Sequence, residues 1–460
     1  MWTTALRSDP LASRCTRLAL LPLLVAAAPA SAQDTHYWSI QYGPIGQLVG
    51  GQLIGGVNDL SATFYNPGAL ALRNESSYLL STESFQWETA STDVSPGPAV
   101  LDMSSSNFGA APSLLAGVLP DWFGPRTSLA WSFLTRQKLD VRIGQRLNDS
   151  LAGGWRQSAA ESYFDQDAKE DWAGLTVSHA PSDSWGIGLT VYGVYRGQRQ
   201  RNELSVHAIA DGGRSLSASG VADFDYSHYR ALAKLGLARQ TRVWKLGLSI
   251  TTPSLGVFGS GKAAYTLSLA GVDADQDGTP DAPALVSEAN DELGTEYRSS
   301  WAVGAGASRS YGDTRLYASA EWFAPVGRFE VILLPEGATG ASRLTQELGQ
   351  VLNAGLGFQH VFSPDVSVYG AFHTDFSAAL GSARANVAVS DWDIYHLSGG
   401  VSFRIHQNSF TLGASWARGG KQRPLDTAVP PESVPGAGLE RRVDIHYQKL
   451  TFLLGFVFGR

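Results

Sequence analysis

Cysteine is almost missing from this 460-residue chain; the single one is Cys15. The first 32 residues have the plan of a secretory signal, so Cys15 is expected to leave with them. Arg7, Arg14 and Arg17 form the basic part, residues 18–28 the apolar part, and Ala30-Ser31-Ala32 a small-x-small cleavage site before Gln33. That apolar part is too short for a membrane-spanning helix. A chain exported without cysteine has no disulfide, no catalytic thiol and no thiolate-held metal. Long apolar runs are lacking too. Nothing after the leader sustains a 3.6-residue apolar period or eighteen apolar residues in a row, which excludes helical bundles and membrane-spanning helices. Basic charge is sparse: the formal net charge is -7 and no basic cluster lies outside the leader, which argues against a nucleic-acid partner.

Catalytic motifs are missing as well. There is no G-x-S-x-G elbow and no H-E-x-x-H, and His179, His207, His228, His373 and His396 are scattered. No enzyme activity and no cofactor are expected. "GVFGSGKA" (256–263) fits G-x-x-x-x-G-K, but Ala263 stands where a phosphate loop needs Ser or Thr, and the residues after it alternate like a strand. "DADQDGTPD" (273–281) has Asp273, Asp275 and Asp277 before Gly278, with Asp281 in reach, as in half of a calcium loop. Ala284 replaces the closing glutamate, so the stretch is either a weak calcium site or a solvated acidic loop.

What the chain does have is glycine (50 residues) and aromatics (13 Trp, 16 Tyr, 19 Phe) with only 17% charged residues, a composition suited to β structure. Alternation recurs along it. Trp185, Ile187, Leu189 and Val191 alternate with Gly186, Gly188 and Thr190; Tyr395, Leu397, Val401 and Phe403 alternate with His396, Ser398, Gly400 and Ser402. In the last segment Leu450, Phe452, Leu454, Phe456 and Phe458 share a face opposite Lys449, Thr451 and Gly455. Period two over so many segments predicts strands. Fourteen are expected, at about 76–88, 107–119, 127–142, 158–180, 185–209, 221–240, 243–270, 293–310, 313–331, 347–361, 366–378, 392–404, 408–418 and 443–458.

The connections alternate between short and long. Short turns fall near 120–126, 181–184, 240–242, 311–312, 362–365 and 405–407. Long polar connections fall near 89–106, 143–157, 210–220, 271–292, 332–346, 379–391 and 419–442. That sorting is the mark of an antiparallel up-and-down barrel in a membrane, with turns on one side and loops on the other. The expected class is therefore all-β, a transmembrane barrel of about fourteen strands in the outer membrane, with both termini on the short-turn side. The aromatic last strand resembles the segment by which such barrels are recognised by assembly machinery, although Arg460 replaces the usual terminal Phe.

A charge facing lipid near the bilayer centre costs about 2–4 kcal/mol for Arg or Lys. Arg136, Lys245, Glu321, His373, Asp375, Arg404 and Lys449 are therefore expected in the lumen or at its rims, with Glu321, His373, Asp375 and Arg404 as lumen-lining candidates. Glu321 is opposite in phase to Leu316, Ala318, Ala320 and Trp322.

"GGVNDLSATFYNPGALAL" (55–72) fits neither a strand nor a helix. Pro67 cannot donate to a ladder, Gly68 accepts positive φ, and Asn66 is pushed to extended geometry by the proline after it. "DLSATFYNPGALAL" resembles the Asn-Pro-Ala segment of FadL-type outer-membrane transporters of long-chain fatty acids and other hydrophobic compounds. "LGLSITTPSLGVFGSGKAAY", "YRSSWAVGAGAS", "YASAEWF", "YGAFHTDFSA" and "DIYHLSGGVSF" are similar, in order, to later strands of that family. Here the phrase runs Asn66-Pro67-Gly68-Ala69-Leu70, with the family's Ala and Gly exchanged.

The resemblance implies a fourteen-stranded barrel closed by a small N-terminal hatch over 33–75, with residues 76–460 as the wall. It implies Asn66, Pro67 and Gly68 as hatch or gate residues and a hydrophobic ligand, most simply a long-chain fatty acid. In such proteins the ligand enters from outside and leaves sideways through the wall into the outer membrane's lipid. A barrel of the same build with a structural or surface-interaction role is the alternative, and a lipid-modifying enzyme a more distant one.

Overall fold

The structure is a computed structural model that describes residues 35–72, 78–95, 100–107, 111–120, 123–148, 155–210, 213–272, 279–336, 344–380, 391–424 and 442–458. Nineteen strands are described: β1 (Tyr78–Ser95), β2 (Val100–Asn107), β3 (Ala111–Val118), β4 (Thr127–Asn148), β5 (Trp155–Ser182), β6 (Trp185–Ala210), β7 (Ser215–Gln240), β8 (Trp244–Thr251), β9 (Leu255–Ala270), β10 (Ala284–Leu293), β11 (Ala302–Tyr311), β12 (Thr314–Phe323), β13 (Val326–Glu330), β14 (Thr345–Leu348), β15 (Val351–Ser363), β16 (Val366–Asp375), β17 (Ile394–Ile405), β18 (Asn408–Pro424) and β19 (Arg442–Phe458).

Seventeen of them form one antiparallel sheet. β2 and β3 both pair with β1, β8 and β9 both with β7, and β10 and β11 with β9 and β8, so the sheet has fourteen places. Pairing of β1 with β19, from Tyr78 opposite Phe458 to Ser95 opposite Arg442, closes it into a cylinder. Closure removes the unpaired edges that an open sheet would expose in lipid. The six short turns fall at one end, as expected from the alternation of short and long connections.

Strand ends depart from the alternation in a consistent direction. β1 runs on to Ser95 and β18 to Pro424, through residues expected as loop. β10 occupies 284–293, also expected as loop, and both its faces are wet. Beyond the bilayer neither face of a strand must be apolar, so the ladder persists where its sequence signal stops. Two expected strands are broken: 243–270 is interrupted at 252–254, and 293–310 has no strand between 294 and 301. The expected strand 313–331 leaves the wall after Phe323, and β13 pairs with β14 in a separate hairpin.

β6 shows how the wall meets the membrane. Its outward residues from Trp185 to Tyr195 include Ile187 (54% exposed) and Val191 (50%) and carry no charge. Beyond Tyr195 the same row continues with Gly197, Arg199, Arg201 and Glu203. Ten residues of a strand rising about 3.4 Å each and tilted about 40° climb roughly 26 Å, the height of a barrel's apolar band. The upper limit of the band is marked by a row of rings across three strands. Tyr195 lies 5.0 Å from Tyr229, and Tyr229 stacks on Phe258 at 4.4 Å. This is a transmembrane barrel of the outer-membrane type. No described helix is long and apolar enough to cross a membrane, and the strands do the crossing.

The segment 35–72 holds two short helices, Pro44–Leu48 and Ala62–Tyr65, and a 3₁₀ turn, Pro67–Leu72. It is bonded to side-chain and backbone groups of the wall all the way round the cylinder. Gly43 N donates to Ser81 Oγ on β1, and Gln47 Nε2 to Ser113 Oγ on β3. Tyr42 OH donates to Thr135 O on β4; Thr190 Oγ1 and Tyr192 OH on β6 donate to Thr63 O. Gln52 Oε1 accepts from Ser319 N on β12, and Leu48 O from Ser398 Oγ on β17. A segment that reaches opposite sides of a closed cylinder lies within it. Tyr42, Leu48, Leu53, Leu60 and Leu70 share a core with Leu79, Leu114, Leu134 and Tyr192 of the wall.

Candidate functional site

The Asn66-Pro67-Gly68 turn seats on wall glycines. Asn66 is extended (φ -159°), as a residue before proline should be. Its Nδ2 donates to Ile54 O (2.9 Å) and to Leu237 O of β7 (3.0 Å), while Oδ1 accepts from Gly68 N. A Cβ on Gly68 would stand 2.6 Å from Gly236 O and 2.7 Å from Gly186 O. Gly188 faces Pro67 in the same way. The close approach of backbone to backbone is what requires these residues to be glycine. It explains why β6 and β7 carry small residues on their inward rows at this height.

Three of the four lumen-lining candidates meet one piece of chain, 36–50. Asp375, fully buried on β16, accepts from Tyr37 N (3.1 Å) and Trp38 N (2.8 Å) at Oδ1 and from Ser39 Oγ (2.7 Å) at Oδ2. Glu321 on β12 accepts from Trp38 Nε1 at 2.9 Å. His373 is buried, stacks on His396 with ring centres 4.4 Å apart, and lies against Gly50. Arg404 does not join them: it is exposed beside the β17–β18 turn, where its backbone N donates to Asp365 O. Its distance from the other three results from its place at the strand end, where a charge needs no partner in the lumen. Asp273, Asp275 and Asp277 lie outside the described residues, and Asp281 N donates to Val272 O. Among the described residues no group of three His, Cys, Asp or Glu could hold a metal ion.

A cavity remains between the segment and the wall. Tyr37, Phe64, Trp172, Leu232, Phe323 and Leu348 make its apolar lining, and Arg136, Arg230, Lys234, Glu170 and Glu321 its charged part, with Arg298, paired to Glu296, at its edge. Glu170 collects the charges. Its Oε2 accepts from Arg196 Nη1 (3.2 Å) and, closely, from Arg230 Nη2, and its Oε1 accepts from Trp172 Nε1 (2.7 Å). Arg196 is wholly buried and also donates to Tyr226 OH, Gln198 Oε1 and Gln137 Oε1. Lys234 Nζ lies 3.7 Å from Glu321 Oε1 and 4.5 Å from the Phe64 ring centre. Arg136 donates to Tyr37 O and sits 5.9 Å from the Phe64 and Trp172 rings. Three cations thus pair with two carboxylates while Arg136 bonds to Tyr37 O, and Nε and Nη1 of Arg230 are buried without a hydrogen-bond partner. Buried charge left uncompensated is costly, and here that cost falls on Arg230.

None of Glu170, Arg196, Arg230 or Lys234 is singled out by sequence motifs. The phase of alternation carries the signal: all four fall on the inward row, opposite the lipid-facing residues. What phase cannot tell is that they meet.

Beside the cavity the wall is open. The ladder between β9 and β10 ends at Gly261 opposite Leu293, and that between β8 and β11 begins at Thr251 opposite Ala302. Between them residues 294–296 turn inward and pair with 331–333 instead, through Glu296 N to Val331 O and Leu333 N to Gly294 O. Thr295 fits against Gly259 and Gly261, so the glycines of "GVFGSGKA" make room for this crossing inside a strand and hold no phosphate. The opening is lined by Ser254, Leu255, Val257, Phe258 and Trp301, and it shares Tyr297, Arg298, Ser299 and Ser300 with the interior cavity. Leu255 (75% exposed), Val257 (65%) and Phe258 (62%) face outward at the level of the upper ring row.

Fold and site together define an outer-membrane β-barrel with a filled lumen, a mixed apolar and cationic cavity, and a break in its wall. Among solved structures the fold is shared with a FadL homologue of Pseudomonas aeruginosa (14% identity, TM-score 0.60), with 92% of this chain and 99% of that one covered. It is also shared with the toluene transporter TodX of P. putida (12%, TM-score 0.60) and the toluene transporter TbuX of Ralstonia pickettii (16%, TM-score 0.53); both alignments cover 91% of this chain and 99% of the other. No family model and no curated protein matches the sequence.

Proposed function

We propose that the protein is a passive channel for hydrophobic small molecules, and that its ligand is an amphipathic carboxylate such as a long-chain fatty acid. The observation that carries this reading is the interior cavity, where apolar side chains lie beside buried guanidinium nitrogens that lack a partner. A neutral hydrocarbon would leave those donors unsatisfied, whereas a carboxylate accepts a charge-assisted N–H bond from one of them. Likeness to the two toluene transporters favours an arene, the second reading, and the cationic cluster argues against it here.

In this reading segment 35–72 is a hatch, and Asn66, Pro67 and Gly68 are the hinge by which it docks. The ligand enters from the loop side, lodges with its carboxylate at Arg230, and leaves through the opening between β9 and residues 294–301 into the lipid. No chemistry is performed on it. Transport runs down the gradient made by partition or consumption downstream. Before that, insertion depends on the assembly machinery through β19.

The test is uptake of labelled oleate and of toluene by cells, and by vesicles reconstituted with purified protein. Protein-dependent oleate uptake, reduced when Arg230 is changed to Met, is the expected result. Faster entry of toluene that is indifferent to Arg230→Met would favour the arene reading. No protein-dependent entry of either would overturn the channel and leave a structural or surface role.

A further inference from the structure

Tyr297 stands where the cavity meets the break in the wall, lining both. It is buried, at 8% exposed, on a stretch that belongs to no strand. The guanidinium carbons of Arg196 and Arg230 each lie 4.3 Å from the centre of its ring. A ring beside two desolvated cations is held strongly through its quadrupole. Its other contacts are weaker: Phe329 edge-on at 6.0 Å and Gln346 Nε2 at 3.4 Å from its hydroxyl. The arginines that hold the ring are also the ones that Glu170 joins, and Arg230 is the one with free donors.

Resting on the channel reading, we propose that Tyr297 is a ligand-released gate. A carboxylate that accepts from Nε or from Nη1 of Arg230 neutralises one of the two cations holding the ring and brings negative charge towards the ring's negative face. The ring loses one of its two holds, and the stretch 297–300 moves out of the passage between cavity and lipid. The same anion that the cavity selects thereby opens its own exit. Coupling arises because carboxylate and ring compete for one guanidinium, so each weakens the other's hold by the same factor. A neutral molecule of equal chain length makes no such demand and leaves the gate shut.

The experiment compares oleate with oleyl alcohol in reconstituted vesicles. Native protein is expected to pass oleate and exclude the alcohol. Tyr297→Ala is expected to pass both, and Tyr297→Phe, which keeps the ring, to behave as native. A second readout uses Ser300→Cys, since the only cysteine, Cys15, lies in the expected leader and Ser300 is 8% exposed. Oleate should speed maleimide labelling at position 300, and the alcohol should not. Equal selectivity in native and Tyr297→Ala protein, or labelling that oleate leaves unchanged, overturns the gate while the channel stands. Native protein that passes neither compound overturns both.

Discussion

At the scale of single residues, the interior is governed by where charge can find a partner away from water. Glu170 is the clearest case, because Arg196 and Arg230 both depend on it. Glu170→Gln keeps the shape but leaves two buried guanidinium groups without a counter-charge, and breaking a buried pair from one side costs about 3–5 kcal/mol. The expected outcome is a lower unfolding midpoint in detergent, and binding of free carboxylates that is strengthened in those molecules that still fold. The companion substitution Asp183→Asn, in an exposed pair with Arg126 (98% exposed on the Asp183 side chain), should leave the midpoint unchanged. Phase alone makes Glu170 and Arg196 legible as lumen residues. Their meeting was not, since they lie on different strands and are brought together by register.

At the scale of elements, the N-terminal segment and the wall are matched by what they omit. The turn Pro67–Leu72 lies on β5, β6 and β7 because Gly186, Gly188 and Gly236 present bare backbone to it. Gly236→Val would place its first side-chain carbon 2.7 Å from Gly68 N and from Pro67 Cδ, both part of backbone or ring and unable to yield. The segment should lift from the wall, read as higher ion conductance of single channels in planar bilayers. Conductance equal to that of the native protein would show that the docking is not what closes the lumen. The irregular "NPGAL" is readable in the sequence as a stretch unfit for a ladder. That its seat would be a set of glycines more than a hundred residues away is not readable, because contacts across a lumen leave no period.

At the scale of the molecule, one band of lipid-facing residues sets the barrel's depth. Val191 lies near the middle of that band on β6, outward and half exposed. Val191→Arg should cost about 2–4 kcal/mol, the penalty for that residue at the bilayer midplane, whereas Val206→Arg faces the lumen beyond the band and its cost is one of packing. Stability measured in vesicles and in a detergent micelle separates the two: the Val191 penalty shrinks in the micelle, and the Val206 penalty does not. The fourteen places of the wall and the sorting of turns and loops were legible because alternation and turn chemistry are local. The extensions beyond the band were not, since strands wet on both faces have no apolar phase to display.

The sequence by itself determined the class: period two, small-residue turns, and the lack of cysteine and of long apolar runs leave an exported barrel and little else. Only the tertiary structure decided which inward residues meet, where the wall is open, and which ring stands in the opening. The break at 252–254 and 294–301 shows the difference. Each half is an ordinary strand sequence, and the opening exists because residues 294–296 pair with 331–333 inside the barrel and leave one edge of β9 without its neighbour. Backbone hydrogen bonds are made with whichever partner the closed cylinder brings into reach. That choice belongs to the whole fold.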